Sequence, residues 1–144
     1  MQDTNPQEIE RLFQSSPFIA DIGLQLDSVA PGEVCTSLIL AERHLQQDGY
    51  VHAGVQATVA DHTAGAAAVT LLSAHQYVLT AEFKISLLRA AKGSQLSCRA
   101  KVLKAGKILT VIESEVYCGN LHSPQLVSKA MVTVAIVASP SNQT

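Results

Sequence analysis

The sequence has 144 residues, of which 47% are hydrophobic and 15% charged, and its formal net charge is -2. This length is typical of one domain with a sizeable core, which we place over residues 1–144 with the core at about 18–138. The weak net charge excludes a general affinity for nucleic acid or acidic membranes, and the absence of Trp excludes the usual aromatic platform for stacking bases. The low charged fraction leaves apolar surface to bury between subunits, so we expect a homo-oligomer.

The beginning of the chain is polar and acidic over Met1–Glu10, without a basic-then-apolar leader, which predicts a cytoplasmic protein. A helix is predicted over about residues 6–16, with Asn5 as its N-cap and Pro6 at its first position. Apolar residues follow at helical spacing, and Pro17 ends the helix.

Two short strands are predicted next, at Leu24–Ala30 and Glu33–Leu40, joined by the tight-turn signal Pro31-Gly32. The stretch Ala41–Val51 is polar and has no period, which indicates a loop. Three cysteines occur in the chain with no C-x-x-C pair, and we interpret two of them as small buried residues of strands: Cys98 and Cys118.

A long helix is predicted at Val55–Ser73. It is apolar nearly all round, which is typical of a helix inside a fold and surrounded by sheet. Gln56, Asp61, His62 and several hydroxyl residues lie within it, and so many polar groups exclude a bilayer span.

The rest of the chain alternates with period two, which predicts four strands separated by hairpin-like breaks. The alternation argues against a doubly wound parallel sheet, which needs a helix between strands. We therefore predict an α+β fold in which an antiparallel sheet with a four-strand meander wraps around the long helix. The four strands are Val78–Leu88, Gln95–Lys104, Ile108–Cys118 and Leu126–Val137.

The start of the long helix carries the candidate site. The first helical turn, at Gly54, has free backbone N–H groups and a partial positive charge, which suit a developing oxyanion. Asp61 stands seven residues further on, and it is the only carboxylate in this apolar helix. Burial of a carboxylate is costly unless partners offset it, so either Asp61 is a hydrogen-bonded structural acid or, the interpretation we favour, it is functional.

The segment Gly49-Tyr50-Val51-His52-Ala53-Gly54, followed by Asp61, resembles the signature of the hotdog-fold thioesterases of the phenylacetate-degradation type. That family also includes the human thioesterase-superfamily acyl-CoA hydrolases. Its signature is an Asn, a Gly-x-x-His-Gly-Gly stretch and then an Asp. The resemblance extends from about Phe18 through the Pro31-Gly32 turn to the last strand near Val137.

The resemblance implies that Asp61 is the base or nucleophile that attacks the thioester, and that the N–H of Ala53, with Gly54 beside it, polarises the carbonyl. Gln46 falls where the family has its Asn, and Thr80 where it has the hydroxyl that orients water. Ala53 replaces the first Gly of the motif, which changes little because the donor is backbone. The resemblance also implies that Gln46 and Ala53 face Asp61 and Thr80 of another subunit.

His52 precedes the oxyanion turn, and we interpret it as a residue that fixes the loop by a hydrogen bond, with general-base catalysis as the alternative. The spacing of His52, Asp61 and His62 matches no zinc pattern, so no metal is expected. Three other histidines fall in loop-like stretches and are predicted to be solvated: His44, His75 and His122.

The turn Lys104-Ala105-Gly106-Lys107 carries two ammonium groups. It is either an exposed turn made soluble by charge or a contact for CoA phosphates, helped by Arg89 or Lys92. We predict an acyl-CoA thioesterase for small or medium acyl or aryl groups, a dimer or dimer of dimers, with no cofactor beyond the substrate's own CoA. The alternatives are a non-catalytic acyl-CoA-binding module and a hotdog-fold dehydratase or hydratase of acyl thioesters.

Overall fold

The structure is a computed structural model that describes residues 6–120 and 122–140. Two short helices open it: α1 (Pro6–Gln14) and α2 (Pro17–Ile22). The predicted helix does end before Pro17, but α2, which was not predicted, begins there because Ser16 precedes a proline at the first helical position. Gly23, at φ 87°, ends α2 in the left-handed conformation that glycine adopts without strain. The predicted cap Asn5 lies outside the described residues.

The other elements form one antiparallel sheet with a long helix packed against it, as predicted. The strand order in the sheet is β1-β2-β4-β5-β6-β3. A short 3-10 turn at Glu42–His44 interrupts the predicted loop. The elements are β1 (Gln25–Ala30), β2 (Glu33–Ile39), α3 (Ala53–Val69), β3 (Gln76–Leu87), β4 (Gln95–Ala105), β5 (Leu109–Gly119) and β6 (Gln125–Ala138).

The predicted four-strand meander is correct only for β4, β5 and β6. The strand β3 pairs with β6 and lies at the edge of the sheet, so the break at Ala91–Gly93 is a crossover and not a hairpin. The physical reason is that β4 is paired with β2 on one side and with β5 on the other, which leaves it no free edge for β3.

The helix α3 packs against strands β2 to β6 and forms the middle of the core. Its residues Val59, Ala60, Thr63 and Ala64 are fully buried, as expected for a helix that is apolar all round. Small side chains let the helix approach the strands closely. Among residues 6–120 and 122–140, none of the helices has both the length and the hydropathy of a transmembrane span.

Both ends of α3 differ from the prediction. It begins two residues earlier, at Ala53, because the side chain of His52 caps it. It ends at Val69 and not at Ser73, because the hydroxyl of Thr70 donates to the carbonyl of Ala67 (2.6 Å) and so competes with further helical hydrogen bonds.

The edge strand β3 carries a bulge between Thr80 and Glu82. Before the bulge Thr80 pairs with Val134, and after it Phe83 pairs with Val132; both valines are fully buried. The extra residue shifts the alternation by one, so that Thr80 and Phe83 face the same side of the sheet. Without it, the charged side chain of Glu82 would face the helix.

Candidate active site

The helix α3 and the edge strand β3 bring two of the predicted site residues together. The hydroxyl of Thr80 donates a hydrogen bond to the carboxylate Oδ1 of Asp61 at 2.7 Å. Asp61 is half-buried, and Thr80 is exposed immediately before the bulge of β3. The carboxylate is therefore held by one oxygen, while its other oxygen, Oδ2, accepts no hydrogen bond from residues 6–120 and 122–140.

The start of α3 is organised by His52. Its ring Nδ1 accepts a hydrogen bond from the backbone N–H of Gly54 at 2.8 Å, and its carbonyl accepts from Val55 at 3.0 Å. This is the loop-fixing hydrogen bond predicted for His52. The N–H of Ala53 has no partner among the described residues, and Ala53 is exposed. Of the two predicted oxyanion donors, Ala53 therefore offers a free N–H and Gly54 does not.

Gln46 lies in the loop before α3, and its side chain is oriented by that loop. Its amide oxygen accepts from the backbone N–H groups of Asp48 and of Tyr50, the latter at 3.3 Å. The amide nitrogen Nε2 is left without a partner within the described ranges. A carbonyl oxygen of a ligand needs a hydrogen-bond donor. This orientation leaves the donor end of the Gln46 amide, Nε2, available for it.

Within one chain, these residues form two separate groups. Ala53 and Asp61 are eight residues apart on one helix, which corresponds to about 12 Å along its axis. Gln46 and Ala53 thus lie at one end of the helix, and Asp61 and Thr80 lie near its middle. A single thioester carbonyl cannot contact both groups of the same chain.

The predicted CoA contacts are also divided. Arg89 follows β3 and its N–H donates to the carbonyl of Val127 in β6, and Nζ of Lys92 lies over the ring of Tyr50, 5.8 Å from its centroid. The other group is at the far end of the sheet, where Lys104 is near the end of β4 and Gly106 and Lys107 follow in the turn to β5. These positions lie at opposite ends of the sheet, roughly 30 Å apart by the rise of a strand. One chain does not bring the two groups of cations together.

One prediction about the histidines was wrong. His44 is buried, with an exposed fraction of 2%; its Nδ1 accepts from the N–H of Ala41 at 2.9 Å and its Nε2 lies 2.8 Å from the carbonyl of Ile22. It is buried because it connects the 3-10 turn to the end of α2. His75 and His122 are exposed, as predicted.

His62, next to Asp61, packs α3 against α1. This contact was not predicted from the sequence. The ring of His62 packs edge-on against Phe13, with ring centroids 4.7 Å apart. Burial lowers the pKa of His62 from its ordinary value of 6.5, against the smaller opposing effects of the Leu12 backbone carbonyl and the charge of Asp61. Its Nε2 is buried without a hydrogen-bond partner in the described chain. Side chains of adjacent helical residues point about 100° apart. This spacing was the sequence signal that Asp61 and His62 face different surfaces.

A cavity of about 740 Å³ opens beside Asp61 and Thr80. Its walls come from α3, from the first half of β3 and from α1. The participation of α1 could not be read from its sequence, since an amphipathic stripe predicts only that the helix packs against something. No group of three or more His, Cys, Asp or Glu side chains that could hold a metal ion is found in the parts of the chain that the structure describes.

Comparison with known proteins agrees with this fold. The sequence model of the thioesterase superfamily matches residues 48–124, which include Asp61 and Thr80. The chain belongs to the thioesterase superfamily. It has the hotdog fold of that family and is a thioester hydrolase.

Three relatives illustrate the similarity. A thioesterase family protein of Silicibacter pomeroyi is 30% identical, with 93% of this chain and 98% of that chain covered and a TM-score of 0.90. The 1,4-dihydroxy-2-naphthoyl-CoA hydrolase of Listeria monocytogenes is 26% identical over 95 residues, which cover 66% of this chain and 77% of that protein. The PaaI protein of the E. coli phenylacetic acid degradation operon is 16% identical, covers 92% of this chain and 93% of its own, and shares the fold with a TM-score of 0.83.

Proposed function

We propose that this protein is an acyl-CoA thioesterase that hydrolyses a small or medium acyl or aryl thioester to the free acid and CoA, with Asp61 as its catalytic carboxylate. The observation that carries the proposal is the hydrogen bond from Thr80 to Asp61, the only carboxylate of α3, on the wall of a cavity. The relative from Listeria monocytogenes, a CoA thioester hydrolase, supports CoA as the leaving group.

Two roles of Asp61 fit the geometry. As a general base, its free oxygen takes a proton from a water that Thr80 helps to orient, and that water attacks the thioester carbon. As a nucleophile, the same oxygen attacks the carbon itself, and water later cleaves the anhydride. In both cases a carbon–oxygen bond forms, the carbon–sulfur bond breaks, and the CoA thiolate leaves and is protonated.

The oxyanion that develops on the thioester carbonyl needs donors that are already in place. The free N–H of Ala53 at the start of α3, near the positive end of the helix dipole, supplies one, and Nε2 of Gln46 supplies a second. His52 keeps this turn in shape through its bond to Gly54. The longer side chain of Gln46, compared with the Asn of the family, is compensated by the loop N–H groups that hold its oxygen.

The two half-sites require a second copy of the chain. The free edge of β3 is long and exposes apolar side chains, which makes it a template for pairing with another strand. A twofold pairing of two β3 edges is antiparallel, so it directs the helix start of one subunit towards Asp61 of the other. The exposed apolar residues of β3 are Tyr77, Leu79, Phe83 and Leu87.

The same antiparallel pairing directs the Arg89 end of one subunit towards the Lys104 end of its partner. We therefore propose that the CoA phosphates contact Arg89 of one chain and the turn of Lys104, Gly106 and Lys107 of the other. The assembly is a homodimer or a dimer of dimers in the cytoplasm. No cofactor beyond the substrate's CoA takes part.

Asp61→Asn tests this function, with hydrolysis of acyl-CoA followed through the released thiol. The amide keeps the volume but cannot take a proton or attack a carbonyl, so kcat falls by about 10²-fold or more. Folding and acyl-CoA binding survive, because a neutral amide is easier to bury than a carboxylate. A folded Asp61→Asn protein that hydrolyses acyl-CoA at the parental rate contradicts the mechanism, and a parent that binds acyl-CoA without hydrolysis indicates a binding module.

A further inference from the structure

The cavity beside Asp61 continues along α3 towards the C-terminal end of that helix. Asp61, Gly65 and Val69 all line it. Their spacing of four residues places them one above the other on one face of the helix. On the opposite side the cavity is bounded by Leu12 of α1 and Val78 of β3. It is therefore a channel that begins at the catalytic carboxylate and runs beneath α1.

Gly65 leaves the middle of this channel open. A Cβ atom added at Gly65 would meet no atom within 4 Å outside the helix's own backbone. The packing of the single chain thus does not demand a glycine, although glycine weakens the interior of a helix relative to alanine. Ala64 and Ala66 beside it are buried in the core. The empty volume at Gly65 belongs to the channel.

The polarity of the lining residues changes along the channel. Leu12, Gly65, Val69 and Val78 give the cavity an apolar stretch, although Glu8 and Arg11 of α1 also line it. Beyond Val69 it is bordered by the polar turn Ser73–Gln76. From Asp61 to Val69 the helix rises about 12 Å. That length corresponds to roughly ten carbon–carbon bonds in an extended chain. A compact aryl group would occupy only the part next to Asp61 and leave the remainder empty.

We propose that this channel binds a linear acyl chain of about eight to ten carbons, which passes over Gly65 and beneath α1. The inference rests on the proposed function, since it takes the thioester carbonyl to lie at Asp61. It adds the substrate class, a medium-chain linear acyl thioester, and assigns Gly65 as the residue that lets the chain pass the middle of the channel. Each methylene that enters the apolar middle is removed from water, whereas longer chains meet the polar turn.

The parental enzyme tests the substrate class. With saturated acyl-CoAs from acetyl to tetradecanoyl, kcat/KM rises by up to about fourfold per methylene, the factor for burying one methylene, and reaches its maximum near octanoyl or decanoyl. Octanoyl-CoA is also hydrolysed with a higher kcat/KM than phenylacetyl-CoA. A maximum at acetyl or butanoyl, or a preference for phenylacetyl-CoA, overturns the proposal.

Gly65→Val tests the channel itself. The valine blocks the middle, so the ratio of kcat/KM for octanoyl-CoA to that for acetyl-CoA falls by about tenfold or more, the loss expected when several methylenes stay in water. Ala20→Leu adds the same number of carbon atoms at an exposed position of α2 and leaves the ratio unchanged. If Gly65→Val does not fold, Leu12→Phe narrows the channel from α1 and must lower the same ratio.

The outcomes separate the two proposals. A parent that hydrolyses no acyl-CoA of any length contradicts the proposed function and, with it, the channel. A parent that is active, combined with a folded Gly65→Val whose octanoyl-to-acetyl ratio equals the parental one, leaves the function intact and refutes the channel.

Discussion

The two ends of α3 differ in how their terminal backbone groups are hydrogen-bonded. At the C-terminal end the hydroxyl of Thr70, which is buried, accepts from the N–H of Gly32 at 2.7 Å and donates to the carbonyl of Ala67. At the N-terminal end Ala53 is exposed, and its N–H has no partner among the described residues. The first and last turns of every helix have backbone groups without helical partners. At the C-terminal end the Thr70 side chain satisfies such a group, whereas at the N-terminal end His52 satisfies the N–H of Gly54 and the N–H of Ala53 stays available.

Ala53→Pro removes the free N–H at the N-terminal end of α3 and should affect activity more than the other substitutions. Proline is tolerated at the first position of a helix and removes only the N–H. His52, at φ -59° and ψ 137°, already has the conformation that a residue before proline prefers. The thermal midpoint therefore stays near the parental value, while kcat falls by about 10²- to 10³-fold, the scale for loss of an oxyanion donor.

Ala53→Gly is the matched control for that substitution. It keeps the N–H and restores the glycine of the family motif, so kcat stays within about threefold of the parent, far less than the loss of an oxyanion donor. Parental kcat in a folded Ala53→Pro protein would show that the N–H of Ala53 does not stabilise the oxyanion.

Thr70→Val tests the C-terminal end of α3. The substitution leaves the N–H of Gly32 buried and unsatisfied, which lowers the free energy of unfolding by about 1–3 kcal/mol. The kcat of the folded protein for acetyl-CoA stays within about threefold, because the substitution removes no donor near the reacting atoms. Urea denaturation measures the first quantity, and Thr70→Ser, which keeps the hydroxyl, is the control. Equal stability of Thr70→Val and the parent would show that the hydroxyl of Thr70 does not stabilise the C-terminal end of α3.

His62→Phe has the smallest expected effect, on the packing of α1 against α3. Because burial lowers the folded-state pKa of His62 below 6.5, the unfolded chain binds more protons as the pH falls below that value. The stabilising effect of a neutral His62 is therefore complete above pH 6.5 and decreases as the pH falls towards the folded-state pKa. His62→Phe keeps the ring contact with Phe13 and loses less stability between pH 7 and pH 5 than the parent. Equal losses would contradict this role.

Much of the fold could be predicted because it depends on short-range patterns. Period-two alternation located the strands of the second half, and an apolar helix with one carboxylate indicated both the core and Asp61. The resemblance located Thr80, which the structure places 2.7 Å from that carboxylate. The candidate site could thus be predicted in part from the sequence, because the start of α3 and Asp61 lie within one segment.

Other features depend on long-range contacts that a local pattern does not encode. The position of β3 beside β6 is decided by which edges of β4 are already occupied, and the burial of His44 by the end of α2. The helix α2 has only six residues, too few to develop a clear period. The bulge at Thr80 is visible only in the register of two strands that are distant in sequence.

We propose that one active site uses Ala53 of one chain and Asp61 of another, and a mixture of two inactive variants tests this sharing. Ala53→Pro and Asp61→Asn are co-expressed with different tags, and acyl-CoA hydrolysis is measured for each homo-oligomer and for the purified mixture. In a mixed dimer, the N–H of Ala53 from one variant meets the carboxylate of Asp61 from the other and restores one of two sites. With random pairing in a twofold dimer, the mixture recovers about a quarter of the parental activity. A mixture as inactive as its components would contradict the shared site.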